Sequence, residues 1–248
     1  MTKYEPGQVN KISFSSTILQ RDITLYIYLP KSYSDLFKHK VVFCFDGLDF
    51  FRYGQIHRLY ERERKEGRIE RAIFVGFQYE DVASRRVEFH PQGEKSADTV
   101  NAMAREILPF IDEQFATFRV GNARLLLGDS LAGSIAFLTT LSYPRIFSQV
   151  GMLSPYTDEV VSEHIARCQF MDLLTIWHEI GLEEDRFKLP TNGEEADFLT
   201  PNRALKRTLS EEDCTYVYKE FEGGHAWKSW QKRLPAILRY FLSDDIEY

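Results

Sequence analysis

Five short apolar runs, separated by stretches with helical spacing, limit the folds open to this chain. Residues 41–45, 72–77, 124–127, 150–153 and 173–177 lack the alternation of a strand with one wet face. Runs of this kind suit central strands covered by helices on both sides. The segments NKISFSST and ITLYIYLP, between residues 10 and 31, do alternate, and the polar Gln20-Arg21-Asp22 separates them, so they read as a half-exposed antiparallel pair. Val100, Met103, Ala104, Ile107 and Ile111 share one helical face, as do Trp230, Leu234, Ile237, Leu238 and Phe241. Each helix carries an interior proline, Pro109 or Pro235, expected to kink it without ending it. The alternation predicts an α/β protein whose mostly parallel central sheet has leading antiparallel strands and helices on both faces. A length of 248 residues with no Gly/Ser/Pro-rich linker suits one domain, 1–248.

A net charge of −6 argues against a nucleic-acid binder, which needs a basic surface. No apolar stretch is long enough to span a membrane, and the first residues lack a secretory signal, so a cytoplasmic location is expected, with no membrane partner. Cys44, Cys168 and Cys214 are odd in number and lack metal-ligand spacing, and they read as reduced thiols. Residues 58–71 mix six basic with four acidic side chains, the pattern of a solvated helix face.

The sharpest chemical signal is Leu127-Gly128-Asp129-Ser130-Leu131-Ala132-Gly133, where a buried strand meets an apolar helix across small-x-Ser-x-small. That context suits a nucleophile elbow with Ser130 exposed on a tight turn, although a serine there also serves as a plain helix N-cap. A serine hydroxyl needs a base and an acid that orients the base. Of six histidines, His225 has the fitting position, after a strand and the Gly223-Gly224 turn; His39, His57, His90, His164 and His178 read as structural or exposed. The acid should lie between Ser130 and His225 in the chain, and Glu183, Glu184 and Asp185 are all open candidates.

These features together resemble the esterase family of α/β hydrolases that includes enterochelin esterases and S-formylglutathione hydrolase. The resemblance spans nearly the whole chain. It rests on Ile27-Tyr28-Leu29-Pro30, Phe45-Asp46-Gly47, Arg85-Arg86 before His90-Pro91, the elbow, Gly181-x-x-Glu184, and Gly223-Gly224-His225-x-Trp227-x-x-Trp230. It implies an α/β-hydrolase fold and a serine carboxylic-ester hydrolase, without metal or organic cofactor, working on a small-molecule ester through an acyl-enzyme. Ser130 would be the nucleophile, His225 the base and Glu184 the acid, and the amides of Leu131 and Leu48 would form the oxyanion hole. Ala132 stands where the family usually has glycine, which implies a slightly tighter elbow. Resemblance to siderophore esterases suggests a basic group at the mouth, Arg85 or Arg86, unless the arginine merely pairs with a carboxylate such as Glu88. Phe50, Phe51, Tyr53, Tyr156, Trp227 and Trp230 would either stack on substrate or pack the core, and residues 47–68 and 185–200 would supply small caps. The alternative is a catalytically silent member of the fold that acts as a ligand-binding or interaction protein. The oligomeric state is left open.

Overall fold

In the computed structural model, which describes residues 4–189 and 193–243, the apolar runs become strands whose alternate residues enter different cores. Among these residues the main sheet has eight strands: β1 (Val9–Ser16), β2 (Arg21–Tyr28), β3 (Lys40–Phe45), β4 (Ala72–Gln78), β5 (Arg124–Asp129), β6 (Gln149–Leu153), β7 (Thr175–Gly181) and β10 (Thr215–Phe221). Their order is β1-β2-β4-β3-β5-β6-β7-β10. The β1–β2 and β2–β4 pairs are antiparallel, and every later pair is parallel.

Val41, Phe43 and Phe45 of β3 enter one core while Val42 and Cys44 enter the other, which is why the run shows no polar alternation. On the first side lie α3 (Val82–Phe89), α4 (Ser96–Ala102), α5 (Leu108–Gln114), α6 (Leu131–Ser142), α7 (Glu159–Arg167) and α8 (Leu199–Leu209). The second side is covered by α1 (Gly47–Arg52), α2 (Ile56–Lys65) and α10 (Leu234–Leu242), with α9 (Trp227–Trp230) at its edge. A small antiparallel pair, β8 (Phe187–Lys188) and β9 (Glu195–Ala196), stands apart from the main sheet.

The two prolines behave differently. Pro109 follows a π-helical segment, Met103–Ile107, that joins α4 to α5. Leu108 N–H, just before the proline, donates five residues back to Met103 O, so a π-bulge accompanies the expected disturbance. Pro235 instead lies in the first turn of α10, and the chain between Trp230 and Leu234 leaves the α-helix. The single kinked helix expected there is two helices, because proline is best tolerated where the first-turn N–H groups have no helical partner anyway.

Residues 47–68 also depart from expectation. Phe50, Phe51, Ile56 and Tyr60 are buried in the second core, so α1 and α2 belong to the sheet's cover and form no cap. The charged face of α2 is mostly exposed, yet Glu63 is buried among Arg62, Arg68 and Arg239. All three cysteines are free thiols. Among the described residues, no helix is long and apolar enough to cross a membrane.

Candidate active site

Parallel strands present their carboxyl ends along one edge, and the loops there hold the chemical groups in α/β proteins. Asp46 follows β3, Ser130 follows β5, Ser154 follows β6, Glu184 lies three residues past β7, and His225 lies four past β10. The chain therefore gathers distant residues by ending neighbouring strands at one level.

Ser130 has φ 52° and ψ −125°, a conformation rarely adopted by a non-glycine residue, and it opens α6 without a side-chain capping bond. A plain N-cap role is thus not what its side chain performs. Its backbone is clamped: Ser130 N–H donates to Leu153 O at 2.9 Å, and Ser130 O accepts from Ser134 and Tyr156. A Cβ on Gly128 would meet Ala132 O at 2.0 Å, so the turn admits only glycine at that point. Ala132 itself fits, fully buried in the first core.

His225 Nδ1 lies 2.7 Å from Glu184 Oε2. The second oxygen of Glu184 is held as well: Oε1 accepts from Ser154 Oγ at 2.6 Å and from Gly181 N–H at 3.0 Å. Trp230 Nε1–H in turn donates to Ser154 Oγ at 3.0 Å. Ser154, at φ 49°, is a member of this group that the sequence did not reveal. Nothing in Leu153-Ser154-Pro155 distinguishes it from any strand-ending serine; only the fold sets it beside the acid. A Cβ on Gly181 would lie 2.6 Å from Glu184 Oε1, which explains the glycine in Gly181-x-x-Glu184. Of the three acidic candidates, Glu184 is fully buried and bonded to the histidine, whereas Glu183 and Asp185 are not buried.

Aromatic rings wall the histidine. Phe187 stacks on it at 4.8 Å, and Phe198 and Trp230 meet it edge-on at 4.6 and 4.9 Å. Phe187 comes from β8 and Phe198 precedes α8, so these two residues of the segment 185–200 pack on the histidine, and residues 190–192 of that segment lie outside the described ones. No hydrogen bond joins Ser130 to His225 among the described residues.

The two backbone donors named for an oxyanion hole differ. Leu131 begins α6, where N–H groups lack helical partners. Leu48 N–H is already taken, donating to Gln78 Oε1 at 3.0 Å. The arginines separate as well. Arg85 is half-buried and binds both oxygens of Asp46, with Nε at 2.9 Å from each, so its charge is already paired within the protein. The carboxylate is Asp46 because Glu88 is occupied by Arg21, at 2.6 and 2.7 Å. Arg86 is exposed and, among the described residues, forms no ion pair. Its charge reaches His90 and Tyr156, whose rings lie 4.6 Å apart. Of the aromatics, Phe50, Phe51 and Trp230 are core residues, Tyr156 and Trp227 are half-buried, and Tyr53 is exposed.

Residues 16–241 match the model of the family described as "Putative esterase". The uncharacterized protein YjcH of Bacillus subtilis (strain 168) is 37% identical over 236 residues, covering 95% of this chain and 98% of that protein. Among solved structures, the enterobactin esterase FES from Shigella flexneri superposes with a TM-score of 0.77 at 18% identity over 97% of this chain. This chain spans 60% of that esterase's length. A ferulic acid esterase gives a TM-score of 0.78 at 16% identity, covering 95% of this chain and 98% of that one. With the family match running over nearly the whole sheet and its helices, the chain belongs to this esterase family of α/β-hydrolase fold and is a hydrolase of carboxylic esters.

Proposed function

We propose that the protein cleaves small carboxylic esters through an acyl-enzyme, with Ser130 as nucleophile, His225 as general base and Glu184 as the acid that orients it. The observation that carries this reading is the 2.7 Å contact between His225 Nδ1 and a fully buried Glu184, in a protein whose Ser130 sits in a positive-φ strand-to-helix turn at the same sheet edge. A carboxylate at Nδ1 fixes the proton there and leaves Nε2 as an acceptor. Nε2 takes the Ser130 hydroxyl proton as Oγ bonds to the ester carbon, and the carbonyl oxygen becomes an oxyanion. Leu131 N–H receives that oxyanion, joined by Leu48 N–H once Gln78 gives way. Collapse breaks the bond to the alcohol oxygen, which leaves with the proton from Nε2. Water, deprotonated by the same nitrogen, then releases the acid and restores Ser130.

For substrate, we read an ester of an aromatic or hydroxy acid carrying negative charge. The exposed Arg86 beside Tyr156 and His90 supports this, as do structural relatives named for enterobactin and ferulic acid.

The test begins with a fluorophosphonate probe, which should label the parent protein and not Ser130→Ala. Ser130→Ala and His225→Ala should each lower kcat on a p-nitrophenyl ester by about 10⁴-fold or more, since members of such a unit fail together. Loss of less than tenfold in either would overturn the assignment, and absence of labelling in the parent would favour a silent binding protein. Comparing kcat/KM on a catecholate trilactone with acetyl and butyryl p-nitrophenyl esters tests the substrate reading. Cleavage of the short esters alone would leave a general short-chain esterase.

A further inference from the structure

Beneath the Ser130 turn lies a carboxyl group that the ester chemistry above leaves unused. Asp129 ends β5 and is 4% exposed, and its Oδ1 has no hydrogen-bond partner. In the β3–β5 register Cys44 stands opposite Leu127, so Asp46, just past β3, and Asp129, the last residue of the adjacent β5, both lie two residues further on. Asp46 is also buried, and it already holds the Arg85 guanidinium through both oxygens. One arginine therefore faces two buried carboxyl groups. The other charged or titratable neighbours of the cluster are Asp49 on α1, the Cys44 thiol on β3 and Tyr79 after β4, and none of them brings positive charge. A buried carboxylate without a partner takes up a proton in preference to staying ionised. Burial first, and then the Asp46 charge, push the Asp129 carboxyl well above its ordinary range, against the pull of Arg85.

We propose that Asp129 is a protonated, neutral acid that keeps the neighbouring oxyanion site free of excess negative charge. Its protonation stands on the cluster alone, and its catalytic part rests on the ester-hydrolysis reading. Asp46 and Asp129 each precede by two residues an amide assigned to the oxyanion, Leu48 and Leu131. An ionised Asp129 would set a like charge against the oxygen that turns negative during attack. Loss of its proton as pH rises should therefore lower kcat with little change in KM, and asparagine, a neutral isostere, should be immune.

Two measurements test this. Infrared spectra at pH 7 should show a protonated-carboxyl C=O band that shifts in D₂O and is missing from Asp129→Asn. This readout needs no substrate, so it survives even if the esterase reading fails. In kinetics, Asp129→Asn should keep kcat at pH 7 within about threefold and lose the decline at rising pH. Absence of the band from the parent at pH 7, or superimposable pH profiles for parent and Asp129→Asn, would overturn the proposal. Should Asp129→Asn fail to fold, the parent's band decides alone: persistence to pH 7 supports it and loss near pH 4 refutes it.

Discussion

Glu184 has two carboxylate oxygens, and the site gives them different work. Oε2 faces His225 Nδ1, while Oε1 is fixed by Ser154 and Gly181. Removing the charge should hurt more than removing a support. Glu184→Gln is expected to lower kcat by about 10³-fold or more, because an amide at that position presents the imidazole with a poorer partner or a competing donor. Asp185→Asn, one residue away and unburied, should stay near parental rates in the same assay. If Asp185 proved the sensitive position instead, the loop register would be wrong by one residue. Ser154→Ala leaves Glu184 with one donor on Oε1 and strands the buried Trp230 indole N–H. We expect a kcat loss of about tenfold at nearly constant KM, together with about 1–3 kcal/mol of lost stability in urea unfolding. Unchanged kcat would reduce Ser154 to a packing residue.

At the scale of elements, much was written in the sequence. The strands could be read because each central one is apolar on both sides, and the position of His225 because glycines mark its turn, whereas the residues alone left Glu183, Glu184 and Asp185 open and only the family resemblance pointed to Glu184. What escaped were features decided by a neighbour. Ser154 gains its role from Glu184, some thirty residues on. Arg85 looks like a surface cation until α3 lays it on Asp46, and the Leu48 amide looks free until Gln78 arrives at the end of β4. Apolar spacing runs across the break between α9 and α10, since Trp230 is buried on the same side as Leu234 and Ile237, and spacing alone cannot report a missing turn. That break makes a prediction. Pro235 removes no needed hydrogen bond in its first-turn position, so Pro235→Ala should cost only the unfolded-state stiffening, about 0.4–1 kcal/mol. Chemical denaturation measures it. A gain in stability would mean that the helix wants to continue through residue 231–233 and that proline holds it open under strain.

Over the whole molecule, two buried groups pull stability in opposite directions with pH. His178 is fully buried, accepts from Tyr216 Oη at 2.9 Å and donates from Nε2 to Asn202 Oδ1 at 2.6 Å. Burial brings its pKa down from 6.5 to about 4. The unfolded chain thus binds a proton that the folded chain refuses, so this contribution is present above pH 6.5 and lost as pH falls toward 4, by about 3 kcal/mol. His39, His57 and His90 are shifted downward too, with the same sign. Asp129 is the reverse case: its carboxyl is raised from 3.8, so the folded chain keeps a proton that the unfolded chain releases. Its contribution is full below pH 3.8 and is lost as pH rises. Between about pH 4 and 6.5 the slopes of Asp129 and His178 therefore oppose one another in the parent. Asp129→Asn removes one of them. The stability of this variant, measured by urea unfolding, should gain on the parent by about 1.4 kcal/mol per pH unit across that window, because the histidines are common to both proteins. A difference that stays flat from pH 4.5 to 6.5 would mean that Asp129 is ionised in the folded chain, and the neutral acid beneath Ser130 would have to be abandoned.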